Sequence, residues 1–120
     1  MNPSVSIAVH GASGRMGQAI VRLALLDPAM HLVAAIVKAG SARNGAPLRE
    51  HFGAAAGHLA YTSSFDPSVA PRVLIDFSSA SAFDEALAAA VSRRIAFVSG
   101  TTGLSESQHT ALRAAARRFR

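Results

Sequence analysis

Two hydrophobic rhythms alternate along this chain: short unbroken apolar runs, and longer stretches in which apolar residues return every three or four places. The first run, Val5 to His10, leads straight into Gly11-Ala12-Ser13-Gly14-Arg15-Met16-Gly17. A short continuous apolar run reads as a strand buried on both faces. Beyond the glycines, Met16, Ala19, Ile20, Leu23 and Leu26 recur at helical spacing, and Asp27-Pro28 stops the helix they predict. Leu32 to Val37 forms the second apolar run. Strand, helix and strand in quick succession make a βαβ unit, for which a right-handed crossover is expected.

Residues 38 to 60 lose this order, because Gly40, Ser41, Asn44, Gly45, Pro47, Gly53 and Gly57 interrupt any period. A long surface loop with one helical turn is predicted there. Tyr61 to Phe65 reads as a short strand and Asp66-Pro67 as a turn. Val73 to Phe77 is the next buried strand. Ser81 with Asp84 resembles a capping box opening a helix with Phe83, Leu87, Ala90 and Val91 inward. Ile95 to Ser99 is a further strand, followed by Gly100-Thr101-Thr102-Gly103. Ser105 with Gln108 offers a second capping box, for a helix running to Arg120. Alternating strand and helix throughout predicts an α/β, Rossmann-type, doubly wound and mostly parallel sheet. The chain stops after a helix with no further strand, which reads as one dinucleotide-binding domain over residues 1–120, cut before a substrate domain.

Composition narrows the class. Half of the 120 residues are apolar, yet no run approaches the length of a membrane span. The first residues lack the basic-then-apolar order of a signal peptide. The absence of cysteine excludes disulfides, thiolate metal sites and a cysteine nucleophile. A cytoplasmic protein is expected. The net charge of +5 invites a nucleic-acid reading, but the arginines are scattered and aromatics too few to interleave with them. The dense cluster of Arg113, Arg117, Arg118 and Arg120 falls in the last predicted helix, where the helix dipole favours cations. No nucleic-acid, membrane or metal partner is expected.

The glycine run carries the chemistry. Gly11 allows a tight turn out of the strand, Gly14 lets a phosphate approach the backbone, and Gly17 permits close packing of helix on strand. Amides from Ala12 to Met16 then face an anion at the helix N-terminus. Arg15 is placed to meet a phosphate; the competing reading is a solvated arginine at a helix start. Where a carboxylate commonly holds the adenosine ribose, this chain has Val37 and Lys38, and no acidic residue occurs between Val33 and Glu50. A cation there suits a 2′-phosphate, so NADPH is expected to be preferred to NADH. The alternative for Lys38 is a solvated lysine at a loop start. Phe77-Ser78-Ser79 and Gly100 to Gly103 follow strands at the predicted carboxyl edge, where backbone groups and hydroxyls can hold a nicotinamide and its ribose. Asp76 is expected to be a buried carboxylate bonded to backbone amides, and His10 to be a packing residue. The five histidines form no site, and no general acid is identifiable.

At Gly11 to Gly17, Val73 to Ser78 and Gly100 to Gly103 the chain resembles dihydrodipicolinate reductase, the 4-hydroxy-tetrahydrodipicolinate reductase of diaminopimelate and lysine biosynthesis. The motifs occur in the family's order over nearly the whole chain. The resemblance implies an oxidoreductase that passes a hydride from NAD(P)H to a cyclic dicarboxylate. By position, Gly11, Ala12, Ser13, Gly14, Arg15 and Met16 would hold the pyrophosphate. Val37 and Lys38 would flank the adenosine ribose, and Gly100, Thr101 and Thr102 would lie at the nicotinamide end. Val37 departs from the acidic residue common in the family. The resemblance also implies a C-terminal domain with the substrate site, a catalytic histidine and lysine, and homotetramer contacts; none has a counterpart here. The chain is therefore expected to bind cofactor without turning substrate over. Two other readings remain open: the cofactor domain of another amino-acid-pathway dehydrogenase, and a non-catalytic dinucleotide-sensing module.

Overall fold

The computed structural model of the chain describes residues 4–66 and 68–118. Pro67 of the predicted turn and Arg120 of the arginine cluster lie outside the described residues, as does the side chain of Arg118. Five strands, β1 (Val5–His10), β2 (Met30–Ile36), β3 (Tyr61–Thr62), β4 (Val73–Asp76) and β5 (Ala96–Ser99), form one sheet in the order β3-β2-β1-β4-β5. Every neighbouring pair is parallel. The chain moves outward from β1 to β2 and β3, then returns to place β4 on the other side of β1. That reversal makes the β1–β4 boundary the switch point where ligands of such sheets bind.

Helices α1 (Arg15–Leu26) and α3 (Ala80–Arg93) cover opposite faces. Val21 and Ala24 of α1 join Ile7, Val9, Leu32 and Ala35 in one core, whereas Ala86 and Ala90 of α3 join Ala8, Ile36 and Leu74 in another. Successive strand residues serve opposite faces, as the two-residue period of a strand requires. A bulge sharpens this: Ile7 pairs with Leu32 but Ala8 pairs with Ala34, so Val33 is the extra residue. Leu32 and Ala35 therefore share a face although they are three apart. A third cluster, Phe83, Leu87 and Ala115, joins α3 to α4 (Glu106–Arg118).

Several expectations need correcting. The inward face of α1 is Gly17, Val21 and Ala24, whereas Met16, Leu23 and Leu26 of the predicted stripe are 53%, 67% and 72% exposed. The cause is Gly17. A side chain there would collide with the Gly11 carbonyl, so position 17 must face the turn, and 21 and 24 follow on the same side. The segment 38–60 is not wholly a surface loop. It contains the short helix α2 (Arg49–Phe52) and a 3-10 turn at Gly53–Ala56, and it buries Leu48 and Ala56 against the α1 core. Pro47 and Ala60 form an antiparallel bridge that closes it. The predicted strand from Tyr61 stops at Thr62. Helix α3 starts two residues earlier than the Ser81–Asp84 pattern implies: Ser79 is its extended N-cap residue and bonds the Ser81 hydroxyl at 2.9 Å. Asp84 instead accepts a bond from Gln108 of α4 at 3.2 Å. The second box forms as predicted, with Ser105 N–H donating to Gln108 Oε1 at 2.8 Å and Gln108 N–H to Ser105 Oγ at 3.2 Å.

Candidate functional site

The site is built where β1, β2 and β4 end. Gly11 leaves β1 at φ +81°, and a side chain there would strike the Phe77 carbonyl, so both conformation and space demand glycine. The Gly11 and Ala12 amides donate to the Ile36 carbonyl at 2.9 and 3.1 Å, and the Gly14 amide donates to the Gly11 carbonyl at 3.1 Å. These bonds lash the loop to the end of β2. They also alter the expected donor set, because the Ala12 amide is engaged by Ile36 of β2 and the Gly14 amide by Gly11 within the loop. The first-turn amides of α1, from Arg15 on, have no acceptor within the helix and are the ones an anion can use. Gln18 braces the arrangement, donating from Nε2 to the Ser13 carbonyl at 2.9 Å.

A cavity of about 300 Å³ opens beside this loop. Gly11, Ser13, Gly14, Val37, Lys38 and Phe77 of the predicted set line it together. Val37 is buried, whereas Lys38 is exposed at the rim. Arg15 and Met16 sit on the exposed start of α1 beside it. Gly100, Thr101 and Thr102 lie outside the lining. Gly100 nevertheless meets the site through Phe77, whose ring packs so closely on it that a side chain at position 100 would have to displace the ring. Ser63 at the end of β3 and Glu85 of α3 also line the cavity, and the sequence reading named neither.

Beneath the β4 and β5 side lies a polar cluster that the sequence reading did not assemble. Asp76 is wholly buried and His10 is 5% exposed. His10 Nδ1 lies 2.9 Å from Asp76 Oδ1, which also accepts from the Ser78 hydroxyl at 2.6 Å and the Ser78 amide at 3.3 Å. Oδ2 accepts from the Ser99 hydroxyl at 2.9 Å and the Thr101 hydroxyl at 2.8 Å. Backbone amides are the expected partners of Asp76; one such bond, from Ser78, is present, but four side chains make the rest. Burial alone would raise its pKa, but the bonds from His10, Ser78, Thr101 and Ser99 outweigh it and bring the carboxyl down to about 2. His10 does more than pack, although its ring also stacks on Phe65 at 5.7 Å. A signal for the cluster existed in the register: His10 pairs with Asp76, and Asp76 with Ser99. Three polar residues ending three apolar strands become neighbours once the strand order is known.

Comparison with known proteins agrees with this architecture. The family described as "Dihydrodipicolinate reductase, N-terminus" matches residues 5–120. The chain is 43% identical over 112 residues to the 4-hydroxy-tetrahydrodipicolinate reductase of Xylella fastidiosa (strain 9a5c), covering 93% of this chain and 44% of that protein. It thus spans less than half the length of the curated relatives it matches. Among solved structures, a dipicolinate-bound dihydrodipicolinate reductase from Paenisporosarcina sp. TG-14 superposes with a TM-score of 0.73 at 20% identity, over 97% of this chain and 44% of that one. Biliverdin reductase from Synechocystis sp. PCC 6803, in complex with biliverdin and NADP+, gives 0.73 at 18% identity over 96% of this chain and 35% of that one. At such identities these structures speak for the fold alone.

Proposed function

The chain belongs to the dihydrodipicolinate reductase N-terminal family, and from that premise we propose that it is the NAD(P)H-holding part of a 4-hydroxy-tetrahydrodipicolinate reductase. The observation that carries this reading is the convergence of the glycine loop, Val37-Lys38 and Phe77 on one cavity at the switch point. The residues fit the cofactor: Gly14 meets nothing closer than 3.4 Å where a side chain would stand, so a phosphate can lie against its backbone. Ser13 and the first-turn amides of α1 would hold the pyrophosphate, with the positive end of the helix behind them. Arg15 stands beside them on the same turn. When bound, the nicotinamide supplies the hydride that reduces the cyclic dicarboxylate. Phe77, packed on Gly100, would form the floor of the nicotinamide end, and Thr101 and Thr102 would border it.

We further propose that NADPH is preferred to NADH. Lys38 is exposed just past the end of β2, and no acidic residue lies between Val33 and Glu50 to take the place of a ribose-binding carboxylate, although Glu85 of α3 lines the same cavity. The substrate site, the proton donor and the contacts of a homotetramer belong, in this reading, to a second domain like that of the full-length relatives. Calorimetric titration of the chain with NADPH and NADH tests the proposal. Binding of NADPH more tightly than NADH, with no reductase turnover by the chain alone, is the expected result. Failure to bind either nucleotide would overturn it.

A further inference from the structure

Asp76 is a fixed charge in an unusual place. Every donor to it is neutral or a histidine ring, and among the described residues no lysine or arginine pairs with it. Because a carboxylate can only accept, the hydrogen of this bond resides on His10 Nδ1. The hydroxyl dipoles of Ser78, Ser99 and Thr101 stabilise the charge without cancelling it.

The strand order says what lies above this charge. With a pyrophosphate at the α1 N-terminus, the adenosine half extends over the end of β2, toward Val37 and Lys38. The other half must extend across β4 to β5, over the Phe77–Ser79 and Gly100–Thr102 loops. Those loops are the ones whose hydroxyls converge on Asp76. Oxidised and reduced cofactor carry the same phosphates and differ at this end by one positive charge on the nicotinamide ring. Resting on the dinucleotide reading above, we propose that Asp76 is a specificity-determining residue that discriminates between the redox states of the cofactor, its charge favouring the oxidised, cationic ring over the neutral reduced one. With the cofactor bound, the same charge would favour the positive nicotinamide ring that hydride donation leaves.

The test is calorimetric titration of the whole chain with NADP+ and NADPH, in wild type and Asp76→Asn. The asparagine keeps the shape: its amide can donate to His10 in the other tautomer, while its oxygen still accepts from Ser99 and Thr101. Loss of the charge should raise the ratio of the NADP+ to the NADPH dissociation constant about tenfold. Equal weakening of both forms, leaving the ratio within about twofold of wild type, overturns the inference and reduces Asp76 to a structural brace. Ser99→Ala supplies an independent arm should Asp76→Asn not fold. It removes one compensating dipole and keeps the charge, so the ratio should move the opposite way, by about twofold. No movement, or movement toward the reduced form, again overturns the inference. Binding of neither nucleotide by the wild-type chain defeats the dinucleotide reading itself, and this inference with it.

Discussion

The two sides of the switch point are held together by opposite means. On the β1 side, the turn into α1 works by the absence of side chains: Gly11 and Gly17 leave only backbone in contact with backbone. On the β4 and β5 side, four side chains reach one buried carboxylate, and the loops are fixed by their hydroxyls. The first device depends on shape and is indifferent to pH. The second depends on charge and is only as durable as the ionisation of Asp76. One sheet edge thus combines a rigid glycine turn with an electrostatically tuned partner, and each fails under a different insult.

The largest effect should come from filling the space on the glycine side. In Gly17→Ala, the new carbon would stand inside the Gly11 carbonyl, a contact with backbone on both sides that cannot be relieved by a rotamer change. We expect a loss of about 3 kcal/mol, net of the ~1 kcal/mol that alanine gains in helix propensity. Thermal unfolding should drop by more than about 10 °C. A drop of only a few degrees would show that helix and turn can separate without cost, and the contrast between a shape-held and a charge-held side would collapse.

The charge-held side should give way to acid. The Asp76 carboxyl titrates near 2 in the folded chain against an ordinary value of 3.8, so folding favours its ionised form. Its contribution is fully present above about pH 4 and is lost as pH falls toward 2, on the order of 2 kcal/mol in all. Denaturant unfolding of wild type and Asp76→Asn at a series of pH values should show the gap between them closing across that window. Hydrogen exchange should locate the loss at residues 77–79 and 99–101 before the glycine turn. Simultaneous opening of both sides would mean that the His10 bond makes them one unit.

A third comparison concerns the end of the cavity proposed for adenosine, where the proposal calls on Lys38 to add charge. Lys38→Ala should weaken NADPH about tenfold, worth about 1.4 kcal/mol, and leave NADH within about twofold. Equal weakening of both would assign Lys38 to the pyrophosphate and remove the case for a 2′-phosphate site.

The two sides also differ in how far the sequence discloses them. The glycine turn is legible because its constraint is local: strand, glycines and helix follow one another, and the residues that need space are their own neighbours. The β1, α1, β4 and α4 elements were readable for the same reason, as was the Ser105–Gln108 cap. The Asp76 cluster joins residues as far apart as 10, 76 and 101, and nothing local announces it. Only the order β2-β1-β4-β5 makes His10, Asp76 and Ser99 neighbours. Leu48 and Ala56 were hidden similarly, since single apolar residues among glycines have no period until tertiary contact gives them one.

The smallest predicted effect tests where local reading misled even on the glycine side. Leu23 belongs to the stripe that helical spacing selects, yet it is 67% exposed, while Val21, two residues earlier, is wholly buried. Apolar periodicity alone cannot choose between these faces, because α1 is apolar on more than one side. The choice is made outside the stripe, by Gly17 and the Gly11 carbonyl it must abut. Leu23→Gln should therefore change stability by no more than about 0.5 kcal/mol, whereas Val21→Ala should cost about 2 kcal/mol. If Leu23→Gln proved the costlier of the pair, α1 would be turned by its apolar side chains and not by its glycine. The shape-held side of the molecule would then owe its geometry to the same kind of side-chain contact as the other.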